Sequence, residues 1–237
     1  ADWQRDLALG HDALGEALQG RGVWVEAEVE HRAALGIRAR LARQDSSNSV
    51  WQRDVALSHA NLGEVLRHEQ REGEAIEHYR RARDILASLV KLDPRNMGFQ
   101  HNLARQHQHL GEAAFAQGKA ADAVSAYSEA LAQLERLTGA QPDNPLWPRG
   151  AARVELLLAQ ALVASSEFER VRAVLRACRA RLRRLRASGI KLDPQEQSLL
   201  RRLEGKAGHI EIEGLPSAPV DEEEAIRDLG WLGGPEK

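Results

Sequence analysis

The chain has 237 residues, a formal net charge of −2 and one cysteine, and aromatic residues make up only 4% of it. Such a composition, rich in Ala, Leu, Arg and Glu, is typical of packed helices, and the small net charge argues against a general nucleic-acid or membrane-surface binder. No apolar run is long enough to span a bilayer. The single Cys178 excludes an internal disulfide framework and favours a reducing, cytoplasmic compartment.

The chain repeats itself every 48 residues. Trp3, Trp51, Phe99 and Trp147 are equally spaced, and residues 3–20 match residues 51–68 at 11 of 18 positions. A fixed period of tens of residues predicts a stack of supersecondary units, because a single unit cannot bury its apolar face alone. We predict repeats at 3–50, 51–98 and 99–146, followed by a degenerate copy at 147–187.

Each repeat has the pattern of two amphipathic helices. In the second repeat, apolar residues recur at helical spacing over 49–68 and again over 72–91, with a short polar link between them. Short links make paired helices antiparallel neighbours. Asn48, Asn96 and Asn144 precede the repeated aromatic by three residues, where an Asn side chain caps a helix. Pro94 and Pro142 end the preceding helices.

These residues carry a resemblance to the tetratricopeptide repeat family. The family's pattern is matched by Leu62-Gly63, Leu66, Ala75, Tyr79, Ala82 and Pro94, and by the equivalent residues of the other copies. The resemblance implies an all-α fold, an α-solenoid of four antiparallel helical hairpins in a right-handed superhelix. The usual period of the family is about 34 residues, so each helix here should be lengthened to about 20 residues, or roughly 30 Å.

The C-terminal part departs from the repeat. We predict a capping helix within 188–205 and a flexible acidic linker and tail over 206–237, which carries eight acidic and three basic residues. An Arg-rich helix precedes it, and its basic face is a predicted dock for that tail through Arg176, Arg179 and Arg183, with Trp231 as an apolar anchor. The linker raises the effective concentration of the acidic tail near the basic helix, but individual surface ion pairs stabilise such a contact only weakly. The sequence leaves open whether the tail is docked or free.

The motifs of catalysis and metal binding are missing from the sequence. There is no glycine-rich phosphate loop and no Gly-x-Ser-x-Gly elbow. Cys178 falls at the small-residue position of Ala34, Ala82 and Ala130, which predicts a buried spacer. His11, His59 and His107 are likewise repeat-equivalent and are expected to pack between helices, whereas a zinc site needs about four converging ligands. We therefore expect neither an enzyme nor a cofactor.

The resemblance also implies a binding surface, because the first helix of each repeat lines the concave face in this family. The family's inward positions correspond here to partner-binding candidates Asp12, Glu16, Asn61, Glu64, Arg105, Gln108, His109 and Glu112. The family's clamp for a C-terminal carboxylate uses Lys and Asn, and this chain has carboxylates instead at Glu16, Glu64 and Glu112. They would repel a terminal carboxylate. A basic or mixed polar–apolar segment is the expected ligand.

Three functions remain open from the sequence. The first is a non-catalytic scaffold or regulatory module that binds a protein or peptide partner. The second is the sensor arm of a larger bacterial signalling or defence enzyme, such as a kinase, a caspase-like protease or a nucleotide switch. The resemblance implies it, because long-period repeats of this Trp-Gln-Arg-Asp kind look like those of bacterial multidomain proteins, and a chain that starts inside a repeat without Met favours it. The third, nucleic-acid binding through the Arg-rich helix, is less favoured because base-stacking aromatics are not interleaved with the arginines.

Overall fold

The computed structural model describes the backbone of residues 2–210 and the side chains of residues 3–204, and this part of the chain is entirely helical. It contains nine helices: α1 Asp2–Gly20, α2 Trp24–Gln44, α3 Ser49–His68, α4 Glu72–Leu92, α5 Met97–Ala116, α6 Ala120–Ala140, α7 Leu146–Ala164, α8 Phe168–Ala187 and α9 Pro194–Ile210. The Trp231 anchor and the acidic tail lie outside the described residues.

The repeat period correctly predicts the helix lengths. Helices α1 to α8 are 19 to 21 residues long, which corresponds to about 30 Å at 1.5 Å per residue. The predicted caps at Asn48 and Asn96 are also confirmed, whereas the N-cap of α7 is Pro145, the residue after Asn144. Asn48 Oδ1 accepts hydrogen bonds from the amides of Val50 and Trp51 at 3.2 Å, and Asn96 Oδ1 accepts one from Phe99 at 3.1 Å. These bonds satisfy amides that have no partner within the helix.

The first helix of each repeat ends in the same way. The residue two places before the second helix has a positive φ in all four copies: Gly22, Gln70, Gly118 and Ser166, at 60° to 73°. In the first copy the Val23 amide donates to the Leu18 carbonyl and the Gly22 amide to the Gln19 carbonyl, both at 2.9 Å. This pair of bonds defines a Schellman motif, whose left-handed residue suits glycine.

The described helices form two compact units, which divide after Ala113. In the first unit, α2 packs on α1, α3 on α2 and α4 on α3. Phe99 and Leu103 of α5 pack against Leu86 and Leu89 of α4 in the same unit. Its interior is thus built by helices that are consecutive in sequence, as expected for helical repeats.

The second unit follows the same rule. Helix α7 packs on α6, α8 on α7 and α9 on α8. Leu199 and Leu200 of α9 join a buried cluster with Leu182 and Leu185 of α8, so a helix covers α8 where a capping helix was expected. The assignment of the chain to four hairpins, their winding into a superhelix and the division at residues 187 and 205 stay predictions.

The Leu-Gly pair of the repeat has a packing reason. A Cβ added at Gly63 would lie 2.5 Å from Cε1 of the Tyr79 ring, and one added at Gly15 would lie 2.7 Å from the His31 ring. Both rings are fully buried. Glycine is therefore required at Gly15 and Gly63, where the first helix of the repeat meets a buried ring of the second.

Candidate partner-binding surfaces

The predicted carboxylates on the first helices recur at equivalent places on α1, α3 and α5. Glu16 is exposed, whereas Glu64 and Glu112 are half-buried. Of the other predicted residues, Asn61, Gln108 and His109 are half-buried and Arg105 is exposed. All of these side chains belong to the first unit and remain partly open to solvent. We refer to Glu16, Glu64 and Glu112 with these neighbours as the acidic row.

The carboxylate of Glu112 is held ionised. Burial opposes its charge, but the His109 ring and a hydrogen bond from Gln108 Nε2 at 2.8 Å outweigh burial, and the pKa of Glu112 lies below its ordinary value. The His109 Nδ1 lies 3.6 Å from Glu112 Oε2, which is too far for a good hydrogen bond. Glu112 therefore presents a negative charge at neutral pH.

Sequence reasoning missed two residues that shape this region, Tyr79 and Arg67. The Tyr79 ring stacks on the His109 ring, with centroids 4.8 Å apart and planes 10° from parallel. Arg67 acts on the Tyr79 hydroxyl and on Glu112 with its positive charge. The signal for Arg67 was available, because it lies one helical turn after Glu64 and so shares its face.

Two buried nitrogens, one in the acidic row and one beside it, lack a hydrogen-bond partner among the described residues. They are Nε of Arg67 and Nδ1 of His109. Burying a polar group without a partner costs free energy, and both of these atoms are closed to solvent. The region therefore combines fixed negative charge with unsatisfied polar atoms.

Asp12 does not belong to this surface. It is only 8% exposed, it forms an ion pair with Arg38, and it accepts a hydrogen bond from His31 Nδ1 at 3.0 Å. Burial opposes ionisation of Asp12, but His31 and Arg38 outweigh burial and hold its pKa below the ordinary value. Because its carboxylate is used inside the first unit, we remove Asp12 from the predicted partner-binding residues.

The Arg-rich helix α8 has a smaller free basic face than its sequence indicates. Arg181 is buried against Glu155 and has a longer contact to Glu135, at 3.4 Å. Arg183 Nε donates to Glu204 of α9 at 2.9 Å. Of the predicted dock, Arg176 is exposed and Arg179 is half-buried. Helix α9 therefore already supplies an acidic partner on the face that was predicted for the tail.

Cys178 is a buried packing residue, as its position in the repeat predicts. Its side chain is fully buried and its Sγ lies 3.6 Å from the Ala152 carbonyl oxygen. Burial raises the pKa of the thiol to about 12, and a nucleophile needs the thiolate. Cys178 therefore has none of the properties of a reactive cysteine.

The repeat-equivalent histidines have ordinary protein partners. His11 Nδ1 lies 2.6 Å from Glu30 Oε2, and His59 Nδ1 lies 2.9 Å from His78 Nδ1. Within residues 3–204 no group of three or more His, Cys, Asp or Glu side chains is arranged to hold a metal ion. No helix in the described part of the chain has the length and apolar character needed to cross a membrane.

Comparison of sequences identifies no relative. No protein-family model matches this chain, and no curated protein matches it.

Comparison of structures identifies the class of fold. A kinesin light chain with nearly identical tetratricopeptide-like repeats, from Podosopora anserina, matches with a TM-score of 0.59 and 19% identity over 97% of this chain and 95% of that one. BtubC (BKLC) from P. vanneervenii matches with a TM-score of 0.64 and 20% identity over 99% and 85%.

Aspartyl phosphate phosphatase F from Bacillus subtilis also has a TM-score of 0.64, with 13% identity over 97% of this chain. The present chain spans 50% of the length of that phosphatase chain. Identities this low establish fold and not activity. The chain has a tetratricopeptide-like helical-repeat fold, which confirms the resemblance seen in the sequence.

Proposed function

We propose that the chain is a non-catalytic protein–protein interaction module that binds a basic peptide segment along the acidic row of α1, α3 and α5. The observation that carries the proposal is the pair of half-buried carboxylates, Glu64 and Glu112, at equivalent places in successive repeats. Repetition of one charge on successive first helices suits a ligand that extends across several repeats.

The surroundings of Glu112 favour a cationic ligand. Its pKa is lowered although burial opposes ionisation, so the negative charge is present before any ligand arrives. A charge that is already partly desolvated gains more from a cation than an exposed carboxylate does, because the effective dielectric constant around it is lower. A lysine or arginine that reaches Glu112 therefore gains more than one that reaches the exposed Glu16.

The neighbouring side chains favour a ligand with polar groups as well as charge. Asn61 and Gln108 are half-buried, and their side-chain amides can donate to and accept from a peptide backbone. The guanidinium of Arg67, however, opposes a purely cationic ligand at the same point. A segment with alternating basic and polar residues fits this arrangement better than a run of lysines.

An array of peptides on the intact chain tests the proposal. Peptides with alternating basic and polar residues are compared with the same peptides in which each basic residue is replaced by Gln. The variant Glu64→Gln/Glu112→Gln should weaken binding of the basic peptides by about tenfold or more, and binding should weaken as salt increases.

A matched control removes two exposed carboxylates from the second helices. Glu26 and Glu77 are exposed on α2 and α4, so Glu26→Gln/Glu77→Gln changes the net charge equally and should leave binding within about twofold, as expected for weakly coupled surface charges. An equal loss of affinity in both variants would show that only net charge matters, and the proposed surface would be wrong.

We infer as a second candidate that the chain is the regulatory arm of a larger signalling or defence enzyme. The observation that favours it is the similarity to aspartyl phosphate phosphatase F, a longer protein of which this chain covers 50%. The reading frame upstream of residue 1 tests the idea. A catalytic domain in the same frame supports it, and a start codon directly before Ala1 overturns it.

A further inference from the structure

A cleft opens between the end of α8 and the first turns of α9, within the second unit. Its volume is about 350 Å³, which lies in the range of about 300–1,000 Å³ that is typical of binding clefts. Its lining combines apolar with cationic side chains, namely Ile190, Leu192 and Leu200 with Arg186, Lys191 and Arg201. We call it the α8–α9 cleft.

Hydrogen bonds hold the loop that forms one wall of the cleft. The Ile190 amide donates to the Leu185 carbonyl at 3.2 Å, and Gln197 Nε2 donates to the Leu192 carbonyl at 2.7 Å. Gly189, with a φ of 77°, supplies the left-handed residue that ends α8. The wall is therefore formed before any ligand enters.

The acidic residues at the start of α9 have partners of their own. Asp193 Oδ1 accepts a hydrogen bond from the Glu196 amide, and Glu196 Oε2 accepts one from the Asp193 amide, both at 2.8 Å. This reciprocal pair is a capping box. The other oxygen of Glu196 lies 3.4 Å from Arg149 Nε. These carboxylates are therefore not available to the cations of the cleft.

The cations of the cleft are weakly paired. Lys191 and Arg201 are exposed, and neither forms an ion pair with another residue of the part of the chain that the structure describes. Arg186 Nη2 lies 3.5 Å from Glu204 Oε1, at the limit of a hydrogen bond, and Arg183 binds the same oxygen more closely. The cleft therefore combines uncompensated positive charge with apolar side chains.

A segment of the same chain has the complementary chemistry. Residues 221–232 contain five acidic residues and one arginine. Ala225, Leu229 and Leu232 follow the acidic run at intervals of four and three residues, the spacing of one apolar face of a helix, and Ile226 is adjacent to that face. The segment thus offers both the negative charge and the apolar side chains that the cleft lacks.

The segment is connected closely enough to reach the cleft. Helix α9 continues from Arg201 to Ile210, which is about 14 Å at 1.5 Å per residue. The ten residues 211–220 can span up to about 33 Å when extended, so they can cover the return distance. A connection of this length gives an effective concentration on the order of 1 mM, and a weak contact is then sufficient.

We propose that residues 221–232 dock in the α8–α9 cleft, with apolar side chains against Ile190 and the acidic run beside Lys191 and Arg201. Individual surface ion pairs contribute little, so the apolar contact and the covalent connection stabilise the docked state, and the charges select the segment. This location differs from the basic face predicted from the sequence, where Glu204 of α9 already binds Arg183.

Hydrogen exchange of the intact chain, followed by mass spectrometry, tests the proposal. The amides of residues 221–232 should exchange at least about tenfold more slowly than in a free peptide of the same sequence, because docking protects them. Lys191→Glu/Arg201→Glu should remove this protection, since it replaces attraction by repulsion. The control Arg136→Glu/Arg176→Glu changes two exposed cations outside the cleft and should leave the rates within about twofold.

Two changes within the segment test the contact from the other side. Glu222→Lys/Glu223→Lys alone should remove the protection, and combining it with Lys191→Glu/Arg201→Glu should restore the rates to within about threefold of the unaltered chain. Leu229→Asp leaves the cleft intact and should remove the protection as well, because it places a charge in the apolar contact.

Several results would overturn the proposal. They are exchange in the unaltered chain as fast as in the free peptide, equal loss of protection in the cleft variant and its control, and a charge swap that restores nothing. Sedimentation equilibrium adds a further one: protection that is present only in a dimer would show that the segment docks on a second copy of the chain. Circular dichroism verifies that each variant folds.

Discussion

Glu155 of α7 and Arg181 of α8 form a two-point ion pair in the interior of the second unit. Arg181 Nε lies 3.1 Å from Glu155 Oε2 and Arg181 Nη2 lies 2.8 Å from Glu155 Oε1, and Glu155 is only 1% exposed. Burial raises the pKa of Glu155, and Arg181 opposes that increase only in part. Glu155 in turn raises the pKa of Arg181 although burial opposes this, so the attraction between the two charges offsets part of the cost of burying them.

The first prediction concerns this pair. Arg181→Ala leaves a buried carboxylate without its partner and should lower the free energy of unfolding by about 3–5 kcal/mol. The double variant Glu155→Leu/Arg181→Ile, which places at position 181 the isoleucine of the equivalent Ile37 and Ile85, should recover most of that loss. Urea unfolding of the three proteins measures both effects. A double variant that is no more stable than Arg181→Ala would mean that the ion pair is needed for packing.

The second prediction concerns the left-handed residues of the Schellman motifs. Gln70 and Ser166 have φ of 61° and 60° where the other two copies have glycine. Gln70→Gly and Ser166→Gly should each raise the free energy of unfolding by about 0.5–1 kcal/mol, because glycine adopts this conformation without steric cost.

The control for the second prediction is the neighbouring Gln117→Gly. Gln117 is exposed and precedes Gly118, and it is not among the residues with positive φ. Glycine there adds only flexibility to the unfolded chain and should leave stability unchanged or lower it. Thermal unfolding of all three variants distinguishes the outcomes, and stabilisation by Gln117→Gly as well would contradict the conformational argument.

The third prediction concerns the contact between Gly63 and Tyr79. Gly63→Ala places a Cβ 2.5 Å from the buried Tyr79 ring, and overpacking of this kind should cost about 1–3 kcal/mol. The fourth repeat has Ala159 and Leu175 at these two places. Tyr79→Leu should therefore reduce the cost of Gly63→Ala, so that the double variant is more stable than the sum of the two single changes implies. Additive losses in a double-mutant cycle would contradict the proposed contact.

The repeat explains which features could be predicted from the sequence. Asn48 and Gly63 belong to a pattern that returns every 48 residues, so each copy supports the assignment of the others. The caps, the helix lengths and the Leu-Gly contact could therefore be predicted from the pattern. The interior ion pairs of Asp12 with Arg38 and of Glu155 with Arg181 each occur in one copy only. A charged residue at a packing position can be paired only when the opposing helix is known, and the sequence does not supply that spatial pairing.

The acidic row shows the same limit. Its carboxylates were predicted by aligning this sequence with the family's repeat pattern and taking the positions that face inward there. Glu64 and Glu112 do remain partly exposed to solvent. Transfer failed for Asp12, whose neighbour His31 replaces the tyrosine of the second and third repeats. That substitution puts a hydrogen-bond donor beside the carboxylate, and the side chain is drawn into the interior.

The last prediction concerns the His59–His78 pair, which links α3 and α4 through nitrogens 2.9 Å apart. One Nδ1 must donate and the other must accept, so the accepting ring is neutral and the contact is lost when both rings are protonated. Burial and the neighbouring His78 and Arg81 lower the pKa of His59 to about 4, and burial with Arg81 and Arg32 lowers that of His78.

These two histidines bind protons near pH 6.5 in the unfolded chain and only at lower pH in the folded one. Their contribution to the free energy of unfolding is therefore fully present above pH 6.5. It should fall by about 2–3 kcal/mol as the pH decreases from 6.5 toward 4. His59→Asn, which keeps a polar atom near Nδ1, should make this decline shallower. Part of the decline should remain, because burial also lowers the pKa of His101.

The control His68→Asn removes an exposed ring that stacks on Trp24 with ring centroids 4.0 Å apart, and it should lower stability equally at pH 7 and pH 5. Urea unfolding at both pH values measures the difference, and an unchanged pH dependence in His59→Asn would exclude the pair as its source.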